Sequence, residues 1–525
     1  GTGTVAIGLN AGQTGQGSSS VAIGQNAGQQ SQGLNSISIG FEAGGENQGS
    51  LAISIGKNTG FTNQGGSAIS IGEFAGNNSQ GNFSVAIGSN AGRQIQGVNS
   101  IAIGNSAGLT NQGTQSIAIG DDSGVKSQGD ASVAIGLNAG HQSQGTQSIA
   151  IGVSCGQTNQ SAASVAIGFE AGAQTQGANS VAIGDTAGNS VQGASCVAIG
   201  QSAGRTNQGT QSVAIGIGSG AQSQSAGAVA IGLNAGNTVQ GTQSVAIGVS
   251  CGQTNQSSAS VAIGFEAGAQ TQGVSSVAIG DAAGRGTQGD TAVAIGFQTA
   301  RSGQGFAAVA IGRMAGYSTQ GVSTVAIGNS AGERAQGANC IAIGNAAGQT
   351  NQAANSIILN ASGSALDSTT TGLFINPVRI APGITTNTGT VLYDSSSSEL
   401  IVDTSKTFVI QHPLYMDKYL VHACLEGPEA GVYYRGEGKI EGESCVISLP
   451  VYADKIATDF TIHVTPIDKA VPLGCSRVKN HRFTVYGEEG TEFSWIAYGK
   501  RENIVAEVEK KNIRVTGFGP YKWVI

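Results

Sequence analysis

Four histidines, His412, His422, His463 and His481, lie in the last quarter of the chain, with Glu426 and Glu429 following the first two. Imidazoles and a carboxylate are the ligand set of a zinc centre, so His412, His422 and one glutamate are the first chemistry to weigh. Their spacing matches no metal motif, and structural or surface roles are the better reading. Ser476 and Lys479 could form a nucleophile–base pair, but no nucleophile elbow surrounds them. The glycine-rich stretches lack the Gly-Lys-Ser/Thr ending of a phosphate loop. The expectation is therefore no enzyme, no metal and no cofactor.

What does recur at fixed spacing is an amide. Gln16, Gln32, Gln48, Gln64, Gln80, Gln96, Gln112, Gln128, Gln144 and Gln160 follow one another with a period of 16, and the series continues to Gln352. Stacked about 4.8 Å apart, such amides can hydrogen-bond one to the next. The sequence thus predicts a buried structural ladder, since an interior polar group needs a partner.

The element that must position this column is a five-residue phrase such as Ser84-Val85-Ala86-Ile87-Gly88. Its Val or Ile returns with the same period from Val5 to Ile357, without insertion or deletion. So strict and short a period predicts a solenoid, one coil of chain per repeat. With the Val or Ile as position 1, the glutamine is position 12. Positions 1 and 3 are β-branched, and strand alternation puts them on one face. They are expected to be the core: Val85, Ile87, Val133, Ile135, Val245 and Ile247. The opposite face is uniformly small, Ala86 with Ser84, Ala134 with Ser132, Ala246 with Ser244. A solvated face would have drifted to Lys and Glu as positions 5, 9 and 14 have, so this small face is expected to pack against identical chains. Gly at positions 4, 8 and 13 marks the corners.

The chain changes character near residue 360. All eight prolines and both tryptophans lie beyond it, and only 20 of the 55 charged side chains precede it. The expected organisation is a β-solenoid shaft over 1–360, a linker with a short hairpin over 361–406, and an all-β domain over 407–525. The hairpin joins Thr390–Tyr393 to Leu400–Val402. Strands are expected at Thr407–Gln411, Tyr419–Cys424, Gly431–Tyr434, Cys445–Leu449, Phe460–Val464, Phe483–Tyr486, Phe493–Tyr498 and Ile504–Val508. At the end of the shaft, Ile357-Ile358-Leu359-Asn360 loses the corner glycine and gains bulk, as a cap would. Gly1 falls in mid-coil, which predicts that the natural chain continues upstream.

A net charge of −7, spread thinly, argues against a nucleic-acid surface. No apolar run reaches the roughly 18 residues of a membrane span. Seven scattered cysteines read as small buried thiols; Cys155 and Cys251, six coils apart, are too distant to pair. Residues 153–172 recur almost unchanged at 249–268, a block copy of six coils. A regular Thr-x-Thr column, which ice binding would call for, is missing.

The phrase SVAIG followed by small residues and Gly resembles the head repeats of trimeric autotransporter adhesins. That resemblance implies a left-handed parallel β-roll of three chains side by side. The run KTFVIQHPLYMDKYLVHACLEGPEAGVYYRG, with FTIHVTPID and RFTVYGEEGTEFSWIAYGKR, looks like a domain of fibre proteins from large DNA viruses and phages. GLFINPVR with VLYDSSSSEL looks like the segment that precedes a self-cleaving chaperone in tail fibres. Together these imply a homotrimeric viral surface fibre, used in host attachment or capsid decoration. Its partners would be itself, a virion base protein upstream of Gly1 and a host surface receptor, with no nucleic acid and no membrane insertion. The alternative is a cellular trimeric adhesin or extracellular filament subunit.

Overall fold

The computed structural model describes residues 1–378, 390–403, 407–411, 419–423, 431–451, 453–500, 515–516 and 523–524. The chain divides into two units, Gly1–Val378 and Arg379–Ile525. Both are built of strands; among the described residues the one helix is a single turn, Ala453–Ile456.

In the first unit, positions 1–3 of each coil form a strand that pairs in parallel with its equivalent one period later. Val85 lies opposite Ile101, Ala86 opposite Ala102 and Ile87 opposite Ile103. This register continues from Val5–Ile7 to Gly372–Asn376 and makes one 24-stranded sheet. At about 4.8 Å per strand the stack is about 110 Å long. Position 4 turns the corner. A Cβ on Gly88, at φ 128°, would sit 2.4 Å from the carbonyl oxygen of Gly104 in the next coil, so only glycine fits.

The second wall is a strand at positions 10–12 that residue types do not announce. Gln94 pairs with Thr110 and Gln96 with Gln112, while Ile95 between them is left out of the register at φ 53°. The same positive φ at position 11 recurs at Asn47, Asn63, Asn111 and Ser143, whereas Thr175 and Val191 pair with each other and shorten the strand to positions 11 and 12. Between Gln192 and Gln224 this wall thins to single bridges, Gln192 to Gln208 and Gln208 to Gln224. The glutamine stays in register where its neighbours do not.

Between the walls lies an interior of small side chains. Ala86, Ala134 and Ala246 at position 2 are wholly buried, as are Ser84, Ser132 and Ser244 before them. Alanines at position 7, such as Ala91 and Ala139, complete it. This inverts the two faces expected from the sequence. Val85, Ile87, Val133 and Ile135 are half-buried and Ile247 is 37% exposed, with Val245 half-buried beside it. None of the six belongs to the interior. The reason is space: a Cβ placed on Gly140, at the position-8 corner, would lie 2.7 Å from Gln144 Oε1 and 3.2 Å from the Cβ of Ala134, so beside the glutamine only small side chains fit at position 2.

The shaft also runs one coil further than expected. Ser356–Asn360 pairs with Gly372–Asn376, putting Ile358 and Phe374 at position 2. Leu366 and Phe374 pack against the last alanines and Ile358. Large side chains close a bore that alanine fills elsewhere. Residues 361–376 are therefore coil, not linker.

In the second unit, Thr390–Asp394 and Glu399–Asp403 form an antiparallel hairpin. Asp394 Oδ1 accepts from the Ser396 amide at 2.8 Å and its hydroxyl at 2.6 Å, which holds the carboxyl below its usual range. Thr407–Gln411 pairs with Tyr419–Ala423. Gly431–Lys439, Glu492–Lys500 and Thr458–Pro466 make one antiparallel sheet; Ser444–Ser448, Arg482–Tyr486 and Gly474–Cys475 make another. Phe483, Phe493, Val485 and Ile440 are buried in their core, where the Phe483 and Trp495 rings meet edge-on at 5.4 Å. The expected strand at Ile504–Val508 lies outside the described residues.

Candidate assembly face

Strand alternation that turns alanine inward must turn the β-branched residues outward. Positions 1 and 3 thus form two unbroken apolar columns on the outer side of the 24-stranded sheet. No charged residue occurs at either position. Ile103, Ile199 and Ile247 at position 3 are 36–37% exposed, and Leu373 and Ile375 on the last strand are each 47% exposed. Taking about 100 Å² of exposed Val and Ile surface per coil, the face amounts to roughly 2,400 Å², several times the largest patch usual on a monomer. The small face, Ala86 with Ser84, Ala134 with Ser132 and Ala246 with Ser244, is enclosed by its own coil and cannot touch a partner.

The serines of that enclosed face are satisfied locally. Ser84 donates to the Gly81 carbonyl at 2.6 Å, Ser132 to Gly129 at 2.6 Å and Ser244 to Gly241 at 2.7 Å. The amide column behaves differently from a simple ladder. Each glutamine reaches across the bore and donates to the position-1 carbonyl of its own coil, as Gln96 Nε2 does to Val85 at 2.9 Å and Gln144 to Val133 at 2.7 Å. Gln16 makes the same bond to Val5 at 3.1 Å while only half-buried. Gln32, Gln48, Gln64, Gln80, Gln112, Gln128 and Gln160 repeat it. Only some links run from amide to amide, such as Gln48 to Gln64 and Gln160 to Gln176, both 3.1 Å. The column is first a set of struts between walls.

The other half of the amide has a cost. Gln96, Gln112, Gln128 and Gln144 keep a buried Oε1 without a hydrogen-bond donor. It lies against the position-8 glycine, where a Cβ on Gly92 would come within 2.7 Å of Gln96 Oε1. Three coils supply a donor by carrying serine at position 2. Ser38 donates to Gln48 Oε1 at 2.8 Å, Ser54 to Gln64 at 2.6 Å and Ser70 to Gln80 at 2.5 Å.

The buried thiols replace small inward residues. Cys155 and Cys251 occupy position 7, and burial pushes each up to about 12. Cys155 Sγ donates to the Gly152 carbonyl at 3.3 Å.

In the second unit, the residues weighed for chemistry are not gathered into a site. His412, Glu426 and Glu429 lie outside the described residues, as does the side chain of His422. His463 stands edge-on to Tyr498, with ring centres 6.2 Å apart. His481 Nδ1 faces Asp454 at 3.6 Å. Ser476 Oγ accepts from the Thr484 amide at 2.9 Å and donates to the Arg477 carbonyl, which makes it a strand-end brace. No group of three metal-binding side chains forms among the described residues. No helix among them is long and apolar enough to cross a membrane.

Two segments of the shaft, residues 112–139 and 162–187, match the YadA head domain repeat. No curated protein matches the chain, and no solved structure does. The matched segments cover coils whose register, corners and outward Val and Ile are the same as in the rest of the shaft.

Proposed function

We propose that the chain is the subunit of a homotrimeric surface fibre, with residues 1–378 as its shaft. The observation that carries this reading is the apolar face of positions 1 and 3. A surface of that area, free of charge over 24 strands, demands partners that are equally long and straight, and identical chains meet that demand. Three copies can each turn one flat face toward a common axis, leaving the charged corners in water. The head-repeat match supports the same arrangement. Sedimentation of the full chain tests it: the expected mass is about three times 52.1 kDa. A folded monomer in dilute solution would refute it.

The fibre's carrier is proposed to be a virion, on the likeness of the carboxyl-terminal sequence to viral fibre domains, with attachment to a host receptor as its task. A cellular adhesin is the second reading, favoured by the match to an adhesin repeat. Immunogold labelling separates them, since label on particles supports the first and label on cell envelopes supports the second.

A further inference from the structure

The Val and Ile columns repeat every coil, so three chains sliding past one another by a whole coil lose contacts only at their ends. A periodic face specifies contact but not register. Register must come from something aperiodic beside it. Position 5 follows the outward Ile by two residues, across the position-4 glycine corner. Its side chains stack from coil to coil. Where polar they bond one another, as Lys57 does to Glu73 at 3.1 Å, Asn105 to Asp121 at 2.9 Å and Asn329 to Asn345 at 2.9 Å.

Single apolar residues occur elsewhere in this column, as at Phe41 and Phe297, but two runs are apolar over three or more successive coils. They share the order Leu, Val, Phe; the second run also has Ile217, 55% exposed, one coil before it. Leu137, Val153 and Phe169 are 44%, 41% and 52% exposed; Leu233, Val249 and Phe265, each six coils on, are 44%, 39% and 52% exposed. Each ladder is followed one coil later by an aspartate, Asp185 or Asp281.

We propose that these two ladders bind the neighbouring chain of the trimer and set its axial register. The ladders follow the apolar position-3 column by two residues in each coil, and the occupant is a second copy of this chain. A slip of one coil toward the carboxyl end moves Phe169 and Phe265 to the level of Asp185 and Asp281, and a slip the other way moves Leu137 to the level of Asp121, so either slip sets an apolar side chain against a carboxylate that would lose water. The inference rests on the homotrimer reading and adds register to it.

Photo-crosslinking tests it on the full chain. Trimers assembled from mixed ¹⁴N and ¹⁵N protein carry Phe169→p-benzoylphenylalanine, and mass spectrometry locates the linked peptide. The expected result is inter-chain links confined to one coil level. A trimer with links only within the same chain overturns the proposal. In a second protein the reporter stays and Leu137, Val153, Leu233, Val249 and Phe265 become Asn, a residue already present at this position in Asn105, Asn329 and Asn345. Its links should spread over three or more coil levels while the trimer mass is kept; links that stay at one level overturn the proposal. If the fivefold variant does not assemble, Val249→Ser with Phe265→Ser makes the same comparison. A wild-type chain that sediments as a monomer refutes the trimer itself, whereas a trimer without the expected links refutes only the register.

Discussion

Replacing Ala134 with Leu tests which face of the strand is inside. Ala134 is wholly buried, and it already packs against the corner at Gly140, where an added Cβ would sit 3.2 Å from its own methyl group. Three added carbons have nowhere to go, and overpacking of this kind costs about 1–3 kcal/mol. Because coils open locally with their neighbours, the cost should appear as faster amide exchange over residues 133–152, by roughly 5- to 150-fold. Ile135→Val is the companion. That side chain points outward and is half-buried, so losing one methylene costs under about 1 kcal/mol and speeds exchange by about fivefold at most. Hydrogen-exchange mass spectrometry reads both in the full chain. If Ala134→Leu exchanges like the wild type, or Ile135→Val exchanges faster than Ala134→Leu, the inward alanine is wrong.

Other outcomes follow from the bore. Ser38→Ala removes the donor to Gln48 Oε1 and should cost about 1–3 kcal/mol locally, while Ala86→Ser should gain about 0.5–1.5 kcal/mol by supplying one to Gln96; chemical denaturation checks both signs. Gln144→Glu places a carboxyl in the column, where burial raises its folded pKa above the unfolded value. The folded state then holds the proton longer, so the variant should be tolerated near pH 4 and lose stability as pH rises toward neutrality, seen as a falling melting temperature. Cys155 and Cys251 follow the same sign at alkaline pH. Their folded pKa of about 12 exceeds the unfolded value near 9, so stability should fall by about 1.4 kcal/mol per pH unit per thiol between those limits. Cys155→Ala with Cys251→Ala should flatten that slope, and an unchanged slope would show the thiols are not responsible.

Period, corners and the buried glutamine were legible in the sequence because each depends on backbone geometry that one residue type satisfies. Gly88 is invariant since no Cβ fits, and Gln96 recurs since one amide spans the bore. The face assignment failed because hydrophobicity was taken as a measure of inwardness. That rule assumes an interior with room for Val and Ile, and this one is filled by a buried glutamine and small side chains in each coil. A signal was available: positions 2, 7 and 16 are all small in the same coil, and three small inward positions plus one glutamine fill a two-walled tube. The strand at positions 10–12 was hidden by composition, since Thr-Asn-Gln and Gln-Ser-Gln carry little strand preference and the positive φ of Asn111 and Ser143 breaks alternation. The extra coil over 361–376 was hidden because its corner glycine is gone, so Phe374 fell in the expected linker. The carboxyl-terminal hairpin was plain, with a serine turn between two apolar runs.

Every bond between coils of the shaft joins residues about one period apart, so no coil depends on a distant one. Deleting or inserting whole periods would leave each remaining wall and strut as it was. Reach is then an adjustable quantity, quantised in steps of about 4.8 Å. Residues 153–172 recur in the same phase six coils further on, at 249–268, so a stretch can be copied along the shaft and meet the same contacts in its new place. Related fibres should differ in height by whole rungs, as rulers cut from one stock.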